Sequence, residues 1–287
     1  MYREFFGFSE KPFTITPNPQ FIYLSEQHRE AFAHLLYGID SHAGFIAMTG
    51  EVGTGKTTVL RTLLTQLDPE KYRSALIFNP CLSGEQLLAS ICREFGVEAA
   101  ECNSFGYLDA LNQYLVEQHG AARTVVLVVD EAQNLAPEVL EQVRMISNLE
   151  TERDKLIQII LAGQPELNDI LARHDLRQLN QRITVRCHLT PMDIIDTGDY
   201  IRHRLKVSGC RIPGLFTPGS IKHIYRFSSG VPRLINVICE QALVMTWIQE
   251  LHNVTPAITW KIIKALRPGA GRRSVWQRLH GWLWAER

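Results

Sequence analysis

Residues 50–57 read GEVGTGKT, an octet that an apolar run (GFIAM) enters and a helical pattern (TTVLRTLLTQL) leaves. No other feature of the 287-residue chain constrains its fold so tightly. Gly50, Gly53 and Gly55 predict a tight turn with positive φ, which aims consecutive N–H groups at one concavity. Phosphate oxygens suit such a concavity, and a helix starting near Lys56 adds the positive end of its dipole. The expected nucleotide-binding segment is therefore Gly50, Glu51, Val52, Gly53, Thr54, Gly55, Lys56, Thr57 and Thr58. Lys56 is expected to reach the β- and γ-phosphates of ATP, and the Thr57 hydroxyl to ligate Mg²⁺. A chance match to this pattern has odds of order one in a hundred.

The flanking sequence predicts an α/β fold. Across 41–190, the runs GFIAMTG, SALIFN, TVVLVVD, LIQIILAG and ITVRCHL alternate with amphipathic helical stretches. That order argues for βαβ units and a parallel sheet with helices on both faces, a P-loop NTPase architecture. TVVLVVD is apolar throughout, as a central strand covered on both sides requires. Ser83 and Gln86 have capping-box spacing. From 191 to 266 only helical patterns follow, with Thr217–Pro218 and Thr255–Pro256 as N-cap and first-turn pairs, so a smaller all-helical lid is expected. Residues 1–40 form an aromatic segment and a helix, and 267–287 a basic, Trp-rich tail.

Asp130 and Glu131 close the TVVLVVD run, where parallel sheets place their ligands. Asp130 is expected to hold Mg²⁺ through water, and Glu131 to orient or deprotonate an attacking water. An intervening strand candidate, SALIFN, marks the P-loop class with a catalytic Glu at this point. Gln164, after LIQIILAG, is placed to touch the γ-phosphate or that water. Arg182, with Arg177 as the alternative, stands where a guanidinium reaches a neighbouring subunit's site. Arg233 lies at a helix start, where a cation is unfavourable unless an anion such as nucleotide phosphate answers it.

Composition narrows the partners. Thirty basic residues balance thirty acidic ones, which weighs against a polyanion as the default partner. The six cysteines include no C-x-x-C pair and read as small apolar residues or idle thiols in a reducing compartment. No run approaches the roughly 20 apolar residues of a membrane span. The N-terminal MYREFFGFSEKPF carries charges inside its aromatic run, unlike a signal peptide, so a cytoplasmic location is expected. In the tail, Trp276, Leu279 and Leu283 share one helical stripe with Arg272, Arg273 and Arg278 beside it, which suits a membrane surface or a partner groove, or packing on the lid.

Taken in order, the P-loop, DEAQ, AGQPEL, QRI and GVPRLIN resemble an AAA+ ATPase. The N-terminal FFGFSEKPFTITPNPQFIYLSEQHREAF sharpens this to the ExeA/GspA type and the similar MshM-type ATPases of pilus biogenesis. The resemblance covers about residues 1–266. It implies an ATP-hydrolysing, Mg²⁺-dependent homo-oligomer, a ring such as a hexamer, that assists assembly of a type II secretion or type IV pilus-like apparatus. Its envelope partners would keep it at the cytoplasmic side, peripheral at the inner membrane. The same likeness puts Tyr23 and His28 near the base and sugar. It carries no peptidoglycan-binding segment onto these residues. Related ATPases regulate transposition, which makes a DNA-associated ATP switch the alternative function.

Overall fold

A computed structural model describes residues 2–14, 18–78, 82–149 and 155–266. In chain order its elements begin with α1 (Tyr2–Phe6), α2 (Glu26–Asp40), β1 (Phe45–Gly50), α3 (Lys56–Gln66), β2 (Tyr72–Ile77) and α4 (Gly84–Phe95). They continue with α5 (Ser104–Gly120), β3 (Thr124–Val129), α6 (Pro137–Ile146), β4 (Ile157–Gly163), α7 (Glu166–Leu171), α8 (Arg177–Arg182) and β5 (Ile183–Leu189). Four helices complete the described chain: α9 (Ile194–Val207), α10 (Pro218–Ser228), α11 (Pro232–Ile248) and α12 (Pro256–Leu266). Two compact units result. One is Glu26–Thr190; the other joins the residues up to Ser25 to those from Pro191 onward.

The first unit is a five-stranded sheet of order β2-β3-β4-β1-β5 with every pairing parallel. All five strand runs seen in the sequence form strands. Side chains alternate across it by the period of two. Val125, Leu127 and Val129 pack with Leu88, Leu111 and Leu140 of α4, α5 and α6 on one face. Val126 and Val128 meet Leu35 of α2 and Leu60 and Leu63 of α3 on the other. β3 is apolar throughout because both its faces are covered, and each fully buried Val or Leu contributes about 1.5–3 kcal/mol. The edge strands β2 and β5 alternate instead, with part-exposed positions along their length. The capping box at Ser83 and Gln86 forms as its spacing predicts.

β4 pairs with β3 on one side and β1 on the other, with Val129 opposite Leu161 and Thr49 opposite Gly163. The C-terminal ends of β3, β4 and β1 therefore lie level along one edge. That edge carries the motifs.

The second unit is helical. Asp193 caps α9, Thr217 caps α10 ahead of Pro218, and Pro232 opens α11. Its core takes Phe6, Phe8 and Phe13 from the N-terminal segment among Ile201, Ile224, Ile235, Leu243 and Ile262. Residues 1–40, expected as one segment, are thus shared: those up to Ser25 join the helical unit, and α2 covers the sheet. Arg204, which is 7% exposed, also ties the segment to these helices. Its guanidinium donates to the Pro12 carbonyl (2.5 Å) and the Tyr200 hydroxyl (2.7 Å), and lies 5.0 Å from the Phe21 ring centre. Tyr200 in turn donates to Asn236 (2.9 Å), so a buried arginine is satisfied without a carboxylate.

Among the described residues no helix is long and apolar enough to cross a membrane. Five cysteines are free thiols, with Cys92 and Cys239 buried, and burial pushes Cys187 up to about 12. The tail from 267 to 287 and Cys81 lie outside the described residues.

Candidate functional site

The loop from Gly50 to Gly55 connects β1 to α3. Gly53 and Gly55 have φ of 82° and 106°, the left-handed region in which glycine is favoured. Gly50 does not share that conformation, contrary to the expectation above, and its constraint is space. A Cβ there would lie 2.7 Å from the Leu189 carbonyl oxygen of the neighbouring strand. Thr54 is fully buried, its hydroxyl and amide both donating to the Glu51 carbonyl (2.9 and 3.3 Å). Val52 is exposed at the tip.

Lys56 is 5% exposed, its ammonium donating to the carbonyls of Gly50 (2.6 Å) and Glu51 (3.0 Å). Burial pulls it below the ordinary lysine range, opposed by the carboxylates of Glu131, Asp130, Glu51 and Glu166. Those opposing charges place Lys56 beside the carboxylates at the end of β3. Thr57 donates to Asp130 Oδ2 at 2.6 Å, and Asp130 Oδ1 accepts from the Glu131 amide at 2.9 Å. A hydroxyl and a carboxylate together are an oxygen-only donor set, which fits a hard cation such as Mg²⁺ that takes its remaining ligands from phosphate and water.

Glu131 is a non-glycine residue at φ 55°, ψ 36°, where β3 turns into the short helical turn Ala132–Asn134. A conformation of that kind costs on the order of 1–3 kcal/mol and persists when its surroundings enforce it. Here the Asp130 carboxylate holds the Glu131 amide, while Glu131 Oε2 accepts from Gln133 (2.7 Å) and Gln164 (3.3 Å). Gln164, at the end of β4, thus stands beside Glu131. Gln133 was not among the expected residues. Its DEAQ context was the available signal, but only the approach of β4 reveals what its amide touches.

His28 is 3% exposed and lies in α2, with Nε2 2.9 Å from the Thr54 carbonyl oxygen. Since a carbonyl only accepts, that nitrogen carries the proton. A Cβ on Gly55 would lie 2.7 Å from the same nitrogen, so the glycine admits the ring against the loop. His28 is bonded to the loop backbone. Tyr23 belongs to the helical unit, where it donates to Asp196 (3.1 Å) and packs its ring on Tyr200 and His203. Arg233, exposed, is also in that unit, in the first turn of α11.

Arg182 ends α8 half-buried, donating to the side chains of Ser147 (3.0 Å) and Asn148 at the end of α6. Arg177 begins the same helix and is exposed.

Residues 39–171 match the AAA domain family. This stretch is an AAA domain. General secretion pathway protein A of Aeromonas hydrophila is 48% identical over 255 residues, which is 88% of this chain and 46% of that protein. The likeness to this type, first carried by the motifs, holds along most of the chain, which spans about half that relative's length. Among solved structures, the Aeropyrum pernix ORC2 protein in its ADPNP–ADP complexes aligns with a TM-score of 0.66 at 18% identity, covering 90% of this chain and 72% of that one. Cdc6p from Pyrobaculum aerophilum gives 0.65 at 17%, covering 86% and 71%. At such identities the likeness is one of fold: the P-loop AAA+ sheet with a helical second unit.

Proposed function

We propose that this AAA domain binds ATP on the 50–58 loop and hydrolyses it to ADP and phosphate, serving assembly of an envelope secretion or pilus-like apparatus as a homo-oligomer. The observation that carries the chemistry is the meeting of Lys56, Thr57, Asp130, Glu131 and Gln164 along one sheet edge, drawn from the start of α3 and the ends of β3 and β4. The secretion role rests on the match to general secretion pathway protein A.

In this mechanism the loop amides and the Lys56 ammonium bind the β- and γ-phosphates. Thr57 and Asp130 would hold Mg²⁺, which would supply charge neutralisation on the phosphate oxygens. Glu131 orients a water and takes its proton as the water oxygen bonds to the γ-phosphorus. The bond from that phosphorus to the bridging oxygen breaks, and ADP leaves with the electron pair. Gln164 aligns the water or the γ-phosphate, and Arg233 answers phosphate charge. A neighbour's arginine supports the charge developing on the transferred group. Arg177 is exposed for such a role, while Arg182 would first exchange its bonds to Ser147 and Asn148.

The test is the solution mass of a Glu131→Gln protein with and without ATP–Mg²⁺, read beside its ATPase rate. Retained ATP binding, a nucleotide-driven oligomer and lost turnover support the proposal. Near-normal turnover removes Glu131 from its role, and Lys56→Ala with undiminished ATP affinity removes the loop from its own. A large species that forms only with duplex DNA overturns the secretion role in favour of a DNA-associated switch. Mixing Lys56→Ala protein with either Arg177→Ala or Arg182→Ala tests the trans arginine. Recovered activity marks the arginine that acts across the interface.

A further inference from the structure

We infer that Gln133 is the positioning residue for Glu131, setting which carboxylate oxygen faces the water and tying that choice to Gln164. This rests on the reading of Glu131 as the group that takes the proton from water.

The orientation of the Gln133 amide is determined by its neighbours. Its Oε1 accepts from the backbone N–H of Gln164 at 3.0 Å. A backbone N–H only donates, so the acceptor end of the amide must face β4. The NH₂ end is then left for the Glu131 carboxylate, an acceptor, and it donates to Oε2 at 2.7 Å. The Gln164 side chain donates to the same oxygen at 3.3 Å. Both amides therefore engage Oε2, while Oε1 accepts no hydrogen bond among the described residues. Its lone pairs are the ones available to a water proton.

Space for this arrangement is built into the end of β4. A Cβ on Gly163 would stand 2.6 Å from Gln133 Oε1, so a glycine at that position lets the amide reach the Gln164 N–H. The Glu131 backbone, at φ 55°, brings its side chain round to the same amide within two residues of chain. Gln133 thus joins the turn after β3 to the end of β4, the two places from which the proposed hydrolytic groups come. A shift of Gln164 passes to Glu131 by two routes, its own side chain and the Gln133 bridge.

The variants are Gln133→Met, which keeps length without polar atoms, and Gln133→Glu, which keeps the shape but replaces the donor with a second carboxylate. Both are compared with Glu131→Gln and Gln164→Ala for ATPase kcat, KM and thermal midpoint. In Gln133→Met, kcat should fall by about 10- to 100-fold, the scale of a roughly 1 Å misplacement of a reacting group. KM for ATP should stay within about threefold, because the loop that binds phosphate is untouched. Gln133→Glu should lose at least as much kcat. Since the two amides share one oxygen, the double variant Gln133→Met/Gln164→Ala should lose less than the product of the single losses.

A Gln133→Met enzyme with near-normal kcat, beside an inactive Glu131→Gln, overturns the positioning role and leaves the hydrolytic reading intact. Near-normal turnover in Glu131→Gln overturns the underlying reading instead. Loss that appears in KM as much as in kcat, or single losses that multiply fully, likewise refutes the link to Glu131.

Discussion

Replacing His28 with alanine separates two roles that the sequence alone leaves open, contact with the nucleotide base and support of the phosphate loop. The structure shows a 2.9 Å bond from His28 to the carbonyl of Thr54, a residue with no exposed surface. Losing that bond costs about 1 kcal/mol, and leaving the carbonyl unpaired in a buried site raises the cost toward 1–3 kcal/mol. The imidazole is itself 3% exposed, so its removal also leaves a void. A net loss of about 2–3 kcal/mol in unfolding free energy is expected, read from urea denaturation of the intact chain. If about 1.4 kcal/mol of it falls on the loop's binding-ready shape, nucleotide affinity drops on the order of tenfold. The decisive assay is the Kd for ATP, GTP and inorganic tripolyphosphate, measured on both proteins by calorimetry. Support of the loop predicts the same fold-loss for all three, because they share only the phosphates. A loss confined to ATP, with GTP and tripolyphosphate unchanged, would refute the loop-support argument and return His28 to the base.

Gly50→Ala forces a Cβ to 2.7 Å from the Leu189 carbonyl and should destabilise by about 1–3 kcal/mol, whereas Gly120→Ala, with nothing within 4 Å at the end of α5, should stabilise by a few tenths to about 1 kcal/mol; chemical denaturation of both checks this. Arg204→Met leaves the Pro12 carbonyl without its donor and should cost about 2–4 kcal/mol, seen as a lower thermal midpoint and faster proteolysis before residue 25. Because burial pulls Lys56 below its usual 10.5, its charge is lost early as pH rises, and ATP affinity should begin to fall below that pH. Affinity that stays level up to that point would refute it. Lys56→Arg, which keeps its charge, should lessen the fall.

Much of the α/β unit was legible because its signals are local. The central strand runs are short apolar stretches bounded by turns, and the apolar character of β3 announces that helices cover both faces. The caps at Ser83 and Thr217 follow from side-chain oxygens within reach of nearby amides. The phosphate loop and the carboxylates after β3 were readable for a related reason, since close-set residue types are enough to state their chemistry.

Long-range packing decided the rest. Nothing in the order of the runs says that β4 lies between β3 and β1, yet that placement brings Gln164 and Gln133 to Glu131. Gly50 looks like a turn glycine until the Leu189 carbonyl approaches it from β5. His28 shows its partner only when α2 docks against the loop, and the segment up to Ser25 joins the helical unit because Phe6, Phe8 and Phe13 enter its core and Arg204, far along the chain, finds the Pro12 carbonyl. The sequence by itself determined the strand runs, the fold class and the loop proposed to bind phosphate, because these depend on periodicity and on residues a few positions apart. Tertiary structure decided which side chains support that chemistry, because a hydrogen bond or a steric limit between distant segments exists only once both are in place.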